Sequence, residues 1–281
     1  MSHGSKPAVG IIAGNGTLPI ELADELLRLG HPVFILGIEG EAEKTIENYE
    51  HDYFCWGQVS RMFKLLRGRD VLDVTLVGGI AKRPALSDMK FDLGAYLNLP
   101  RALSWMLAGD NAVLTGVIEV FNKKGLKVRG AHELVPGLLV RPGTNVGRKP
   151  SLADLKRIDL GMDIAKVLGQ YDVGQAVVVI ENRVVALEGV EGTDAMLERV
   201  AGLRADGRLP RKKGGVLIKC VKPGQDLRVD LPSIGPNSID RIVDAGLTGI
   251  GVVAGSTLMI SRGETLARAK RNGVFIYGTE S

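Results

Sequence analysis

Residues 9 to 37 restrict the fold more than any other stretch. Val9-Gly10-Ile11-Ile12-Ala13 is an unbroken apolar run of strand length, the pattern of a strand buried on both faces. Gly14-Asn15-Gly16-Thr17 reads as a tight turn and Leu18 to Leu29 as a helix. Thr17 is placed to cap that helix, Glu21 suits its first turn, and Gly30 is placed to end it. Val33 to Gly37 is the next strand. Strand, turn, helix and strand in this order make half of a parallel nucleotide-binding domain. Such a sheet needs cover on both faces. The 281 residues, 45% of them hydrophobic, supply it and exclude wholesale disorder. One or two domains fit the length.

The dinucleotide form of this unit is incomplete. Gly14 and Gly16 are followed by Pro19 where a third glycine belongs, and Glu39, at the end of the second strand, is a generic acid. A nicotinamide or flavin is therefore disfavoured. Backbone N–H groups at a helix N-terminus suit phosphate. Gly14, Asn15, Gly16 and Thr17 are accordingly candidate substrate-binding residues.

Val59, Met62, Phe63 and Leu66 share one face of a helix, and Val74 to Val77 is a strand. It runs out into Gly78-Gly79-Ile80-Ala81-Lys82-Arg83-Pro84. Charges just past a parallel strand's C-terminal end lie at the usual ligand crevice. Lys82 and Arg83 are candidates for phosphate, with plain solvated loop charges as the alternative. Asp110 precedes a helix bearing Val113, Leu114, Val117, Ile118 and Phe121. Val135 to Pro150 is rich in glycine and proline, which marks residues 136–150 as a linker. It separates an N-terminal domain, 1–135, from a C-terminal domain, 151–281.

The second half opens on a capping-box pattern, Ser151-Leu152-Ala153-Asp154. A hairpin follows, Ala176 to Ile180 and Val184 to Leu187. Helices are predicted at Thr193–Ala205, Ile239–Ala245 and Glu264–Arg271. Strands are predicted at Val216–Cys220, Asp226–Leu231, Ile250–Val253, Leu258–Ile260 and Val274–Tyr277. The fold class is α/β: a Rossmann-like N-terminal domain with a parallel sheet, then a C-terminal α/β domain with a mixed sheet.

Several chemistries are excluded by what is missing. Four histidines in no ligand spacing argue against zinc and against a His-rich two-metal site. There is no Gly-x-Ser-x-Gly elbow and no phosphate-binding Gly-x-x-x-x-Gly-Lys loop. Aromatics at 5% disfavour a base-stacking surface, so no nucleic-acid partner is expected. Cys55 and Cys220 read as reduced thiols of a cytoplasmic protein. The longest uncharged run, Ala245 to Ser261, is broken by four glycines and is not read as a membrane span. Arg208 to Lys213 reads as a solvated loop. A net charge of +4 suits an anionic substrate or bilayer surface.

Carboxylate chemistry remains. Glu188, Glu191 and Asp194 form one glycine-flanked cluster, and Asp226 and Asp230 another. Residues Asp226 to Leu231 alternate charged and apolar, so as a strand they place Asp226, Arg228 and Asp230 on one face. Oxygen ligands select Mg²⁺, with Mn²⁺ as substitute, and Mg²⁺ pairs with phosphate substrates. The candidate metal ligands are Asp226, Asp230, Glu191 and Asp194. Arg228 and Lys219 join Lys82 and Arg83 as cations for the phosphates. Each has a plainer reading: a solvated strand face, a helix cap, a turn.

At these residues the chain resembles the LpxI-type UDP-2,3-diacylglucosamine pyrophosphatases. The likeness runs through Ile12 to Pro19, Val77 to Pro84, Ala131-His132-Glu133, Asp172 to Val179, Glu191 to Met196 and Gln225 to Pro236. It covers nearly the whole chain, in order. The resemblance implies Mg²⁺-dependent hydrolysis of UDP-2,3-diacylglucosamine to UMP and 2,3-diacylglucosamine 1-phosphate, a step of lipid A synthesis. It implies two domains with the lipid product between them, an essential aspartate at Asp226, and attack of water on the sugar-bonded phosphorus. The family's Gly-Asp-Asp is Gly109-Asp110-Asn111 here, so a second carboxylate at Asn111 is not required. A cytoplasmic enzyme working peripherally on the inner membrane is expected, with a homodimer left open. The main rival is a non-hydrolytic nucleotide-sugar binding or regulatory protein.

Overall fold

The computed structural model describes residues 6–81, 89–95 and 110–280, with side chains in the last stretch from residue 113. The chain forms two compact units. The first is Met1–Gly137 with Asp226–Asp230, and the second is Leu138–Gln225 with Leu231–Ser281. The chain thus leaves the second unit after Gln225 and returns to it at Leu231.

The first unit is a five-stranded parallel sheet in the order β3-β2-β1-β4-β5. Its strands are β1 (Ala8–Ala13), β2 (Val33–Ile38), β3 (His51–Phe54), β4 (Val71–Val77) and β5 (Lys127–Val128). The expected opening unit is present: helix α1 spans Leu18–Arg28, and Gly30, at φ 81°, turns the chain out of it. Thr17 makes no capping hydrogen bond; its hydroxyl donates to Glu21 at 2.7 Å. Helix α2 (Val59–Arg67) and helix α3 (Asp110–Lys123) follow. Met62, Phe63 and Leu66 of α2 pack with Phe34, Leu36, Val74 and Phe121 in one core, and Phe63 meets Phe121 edge-on at 5.1 Å. Val229, from the returning segment, packs against the same core.

The second unit is a six-stranded mixed sheet in the order β6-β13-β11-β9-β7-β8. Its strands are β6 (Gly143–Val146), β7 (Ala176–Ile180), β8 (Arg183–Leu187), β9 (Val216–Lys219), β11 (Gly249–Val253) and β13 (Phe275–Thr279). Strands β9, β11 and β13 run parallel, while β6, β7 and β8 pair antiparallel. A separate parallel pair joins β10 (Ser233–Ile234) to β12 (Leu258–Met259). Alternate residues of each central strand feed opposite layers. Val177, Val179, Val216 and Ile218 face helix α5 (Leu152–Gln170) through Ile158, Met162 and Ala165. Val178, Leu217, Ile250 and Ile276 face helices α6 (Gly192–Ala205), α7 (Pro236–Asp244) and α8 (Arg262–Arg271). The short helix α4 (Ala131–Leu134) belongs to the first unit.

The segment expected as a linker is built differently. Residues 136–138 form a single 3-10 turn, and β6 pairs with β13 as the edge strand of the second sheet. Arg148, near the segment's end, lies over the Phe275 ring at 4.8 Å and donates to Asp154 at 2.6 Å. The glycines and prolines of this stretch mark turns around an edge strand rather than a flexible tether. The 208–214 loop is also organised. Arg204 donates to the carbonyls of Ala245, Pro210, Lys212 and Gly214, while Arg208, Arg211, Lys212 and Lys213 are exposed, as expected of a solvated loop.

The capping box at Ser151 is present, and it is the most charged point of this layer. Asp154 is 2% exposed. It accepts from Arg148, Arg157 and both the hydroxyl and N–H of Ser151. Burial opposes its charge, but hydrogen bonds from Arg148 and Ser151 overcome that and hold the carboxyl down at about 2. A depressed carboxyl stabilises the fold above its ordinary value of 3.8 and loses that contribution as pH falls through about 2. Asp154→Asn leaves two guanidinium groups without their carboxylate and is expected to cost about 3 kcal/mol at neutral pH. Thermal melts should show the gap between variant and wild type closing as pH falls below about 4. A constant gap down to acid pH would remove the charge argument. No helix among the described residues is long and apolar enough to cross a membrane.

Candidate functional site

The C-terminal ends of the first unit's parallel strands gather polar residues beside a topological switch point between β1 and β4, where ligands of open α/β sheets bind. Two loops are laced together there. The Asn15 N–H donates to the Gly79 carbonyl at 2.8 Å, and the Gly79 N–H donates to the Asn15 carbonyl at 3.0 Å. Only glycine permits this approach, since a Cβ on Gly14 would stand 2.2 Å from the Gly79 carbonyl oxygen. The lacing also reassigns the expected phosphate turn. The N–H groups of Gly14 and Asn15 are already bonded, to Val77 and Gly79. The exposed part of the turn is Gly16 and Thr17.

Two acidic residues on the loop after β2 tie this end of the sheet together. Glu41 accepts from the Asn15 side-chain amide at 3.3 Å and the Ala81 N–H at 2.8 Å. Glu39 accepts a hydrogen bond from the Cys55 thiol, and this bond raises the thiol's pKa above its ordinary value. Neither loop contact has a sequence signal, because both join segments far apart in the chain. Lys82 and Arg83 lie outside the described residues, as do the side chains of Asp110 and Asn111.

Asp226 sits in the segment that joins this unit from the second half of the chain. Residues 226–231 do not form the expected strand. Val229 and Asp230 both donate N–H to the Asp226 carbonyl, at 3.1 Å each, which makes a tight turn. The Asp226 side chain closes the turn from inside, accepting at Oδ1 from the Arg228 N–H at 3.0 Å. This is the local bond Asp offers a turn in place of a strand ladder. The Arg228 guanidinium grips the same carboxylate on both oxygens, Nε to Oδ1 at 3.0 Å and Nη2 to Oδ2 at 2.6 Å. Alternation of charge and apolarity here reflects one partly buried anchor, Val229, and a self-paired Asp and Arg.

The Arg228 hydrogen bond holds the Asp226 carboxyl below the ordinary carboxylate value, against a smaller opposing effect of burial. Asp226 is therefore ionised throughout the neutral range. Gly130 stands against this turn: a Cβ there would lie 3.2 Å from the Arg228 Cα and within 2.4 Å of the His132 ring. The His132 Nδ1 is buried without a hydrogen-bond partner. Glu133 pairs with Arg129 at 2.5 Å and adds to the field that raises the Arg228 pKa, after Asp226 itself. His132 falls in one of the family-like segments of the sequence, whereas the approach of Gly130 to this turn has no local signal.

The four carboxylates expected around a metal divide between the two units. Asp226 and Asp230 are in the first unit, Glu191 and Asp194 in the second. Glu191 is the residue before α6 and pairs with Arg199 at 3.1 Å. Among the described residues no three His, Cys, Asp or Glu side chains gather where they could hold an ion. What the turn does offer is narrower. Three hydrogen bonds from Arg228 occupy three of the roughly four lone-pair directions of the Asp226 carboxylate. One direction, on Oδ2, is left for water or a cation. Asp230 lies one turn away, and the donors are all oxygen, the type Mg²⁺ takes when substrate phosphates complete its shell.

Lys219, expected at the phosphates, is 8% exposed and donates from Nζ to the Ser233 carbonyl at 3.1 Å. Burial lowers its pKa, while Glu188 and Asp194 push it back up. Glu188, 7% exposed, accepts from the Gln175 N–H at 2.8 Å and from the Thr193 hydroxyl at 2.6 Å.

Two domain families match, end to end. Residues 8–138 match the LpxI N-terminal domain and residues 141–277 the LpxI C-terminal domain. The chain is similar to the UDP-2,3-diacylglucosamine pyrophosphatase LpxI of Caulobacter vibrioides, 37% identical over 275 residues, covering 97% of each chain.

Proposed function

The chain belongs to the LpxI family, and from that premise we propose that it hydrolyses the pyrophosphate of UDP-2,3-diacylglucosamine in lipid A biosynthesis. The observation that carries this reading is the likeness to the Caulobacter pyrophosphatase, which covers 97% of this chain and so extends through both units. The products are UMP and 2,3-diacylglucosamine 1-phosphate. Water adds to the sugar-bonded phosphorus, the bond from that phosphorus to the bridging oxygen breaks, and UMP leaves with that oxygen.

Asp226 is the residue of the chemical step. Its carboxylate, fixed by Arg228 and ionised, offers the one lone pair that Arg228 leaves unused either to the attacking water or to Mg²⁺. Arg228 serves twice: it holds Asp226, and its remaining N–H groups face the phosphoryl charge. The exposed end of the first turn, Gly16 and Thr17, receives a phosphate, with Lys82 and Arg83 as further cations. Asp226 and Asp230 would hold Mg²⁺ together with the substrate's phosphates, and the ion would supply charge neutralisation. A net charge of +4 favours working at an anionic bilayer surface, from which an acylated substrate is taken.

Purified protein incubated with UDP-2,3-diacylglucosamine in water enriched in oxygen-18 tests this directly. UMP and the lipid phosphate should appear in equal amounts, with the label in the lipid phosphate. Label in UMP would move the attack to the other phosphorus. Tight binding of an intact substrate would favour the non-hydrolytic rival.

A further inference from the structure

We propose that Lys219 is a positioning residue, a role that rests on the reading of Asp226 given above. Its buried ammonium clasps the two ends of residues 220–232 and so fixes the presentation of the Asp226 turn. Strand β9 ends at Lys219 and β10 begins at Ser233. Between them the chain leaves the second unit, forms the 226–230 turn and returns. The Lys219 Nζ to Ser233 carbonyl bond, 3.1 Å, joins the residue before the excursion to the residue after it. The turn is seated on the first unit's core by Val229, and the clasp fixes the spacing of the two arms that carry it.

Each arm is also tied down separately. On the outgoing arm the Cys220 N–H donates to the Gln175 carbonyl at 2.9 Å, and Lys222 pairs with Asp172 at 2.6 Å. The Gln225 side chain accepts the Lys222 N–H at 2.9 Å. On the returning arm the Pro232 carbonyl accepts from the Leu258 N–H at 2.9 Å. The Lys219 bond differs from these because it links arm to arm and sets the span that the excursion must close.

The choice of residue supports a role beyond packing. Leu217, on the same strand face, is part of an apolar core, so a charged side chain at 219 is not what that face calls for. A lysine that is 8% exposed carries a desolvation cost. A second buried charge, Glu188, is held beside it by Gln175 and Thr193, and Asp194 adds to the field. Glu188 and Asp194 act against the lowering of the Lys219 pKa by burial. A misplacement of about 1 Å in a reacting group costs on the order of a hundredfold in rate.

The test compares full-length wild type with Lys219→Met, Lys219→Arg and the double variant Lys219→Met/Glu188→Gln. The double variant removes both buried charges together, so it folds even where the single one leaves Glu188 unmatched. Two readouts are needed: kcat and KM on the lipid nucleotide, and hydrogen exchange of the amides of 226–230. The expected result is a fall in kcat of roughly tenfold or more with KM little changed, and faster exchange in the turn. Arginine, which keeps the donor, should restore most of both. A folded double variant with wild-type kcat and wild-type exchange would overturn the clasp. So would lost turnover with unchanged exchange, which would put Lys219 on the substrate instead. If wild type fails to cleave the lipid nucleotide, the pyrophosphatase reading fails by itself. The exchange comparison then still decides the clasp.

Discussion

Asp226→Asn is expected to lower turnover on UDP-2,3-diacylglucosamine by about 10² to 10³ while leaving the lipid nucleotide bound. Asparagine keeps the size of the side chain and an oxygen for the Arg228 N–H and Nε. It loses the charge, and it sets an amide N–H₂ against Arg228 Nη2, where Oδ2 now accepts at 2.6 Å. The lone pair reserved for water or a cation disappears with it. Stability should change little, because the pair is part-exposed, with Asp226 and Arg228 side chains 21% and 37% accessible. Val229, packed on the core, is where damage to the fold is expected. Asp230→Asn should lower turnover less, since its carboxylate is not locked by Arg228. Steady-state kinetics with a melting curve on each variant separate the cases. A folded Asp226→Asn protein with near-normal turnover at saturating substrate would leave the turn a surface feature.

Removal of divalent metal is expected to stop turnover, and Mg²⁺ or Mn²⁺ to restore it. The donors argue for a particular kind of dependence. Asp226 has about one lone pair to give after Arg228, and no cluster of three ligands exists among the described residues. The protein alone should therefore bind Mg²⁺ weakly, with Kd on the order of 1 mM or above, and the ion should arrive with the substrate's phosphates. Calorimetry with Mg²⁺ and no substrate reads the first statement, and activity after chelation reads the second. Full activity in chelator would exclude the ion from the reaction. Micromolar binding to the free protein would require a fuller ligand set than Asp226 and Asp230.

The legible parts of this fold are those written in contiguous sequence. The β1–α1–β2 opening follows from one apolar run, one glycine turn and one amphipathic stretch. The Ser151 capping box is likewise a four-residue signal, and it is present with both of its bonds. Strand β6 reads as linker in sequence because its signal is weak: four residues, Gly143 to Val146, that become a strand only by pairing with β13. The Asp226 segment shows the same limit more sharply. A period of two predicts a strand only if a neighbour supplies the ladder. Here Asp226 takes the Arg228 N–H itself and the turn wins. Of the candidate site, the residue types were legible and their partners were not. Arg228 facing Asp226, Lys219 on Ser233, and Glu41 on Asn15 and Ala81 all depend on which loops meet.

The return of Asp226–Asp230 to the first unit has a practical outcome for anyone dividing the gene. The two family segments, 8–138 and 141–277, invite expression as separate halves. A cut after Gly137 severs the backbone once but divides one core between two polypeptides. The C-terminal half would carry Val229 with no core to receive it, and the N-terminal half would lack the side chain that packs there. Neither half alone holds both the glycine-laced turn at Gly14 and the carboxylate at Asp226. Mixing the halves could regain the assembled unit only by threading five residues from one chain into the other. A single covalent chain performs that step at no loss of translational freedom, which is a reason for these two sequences to be encoded together.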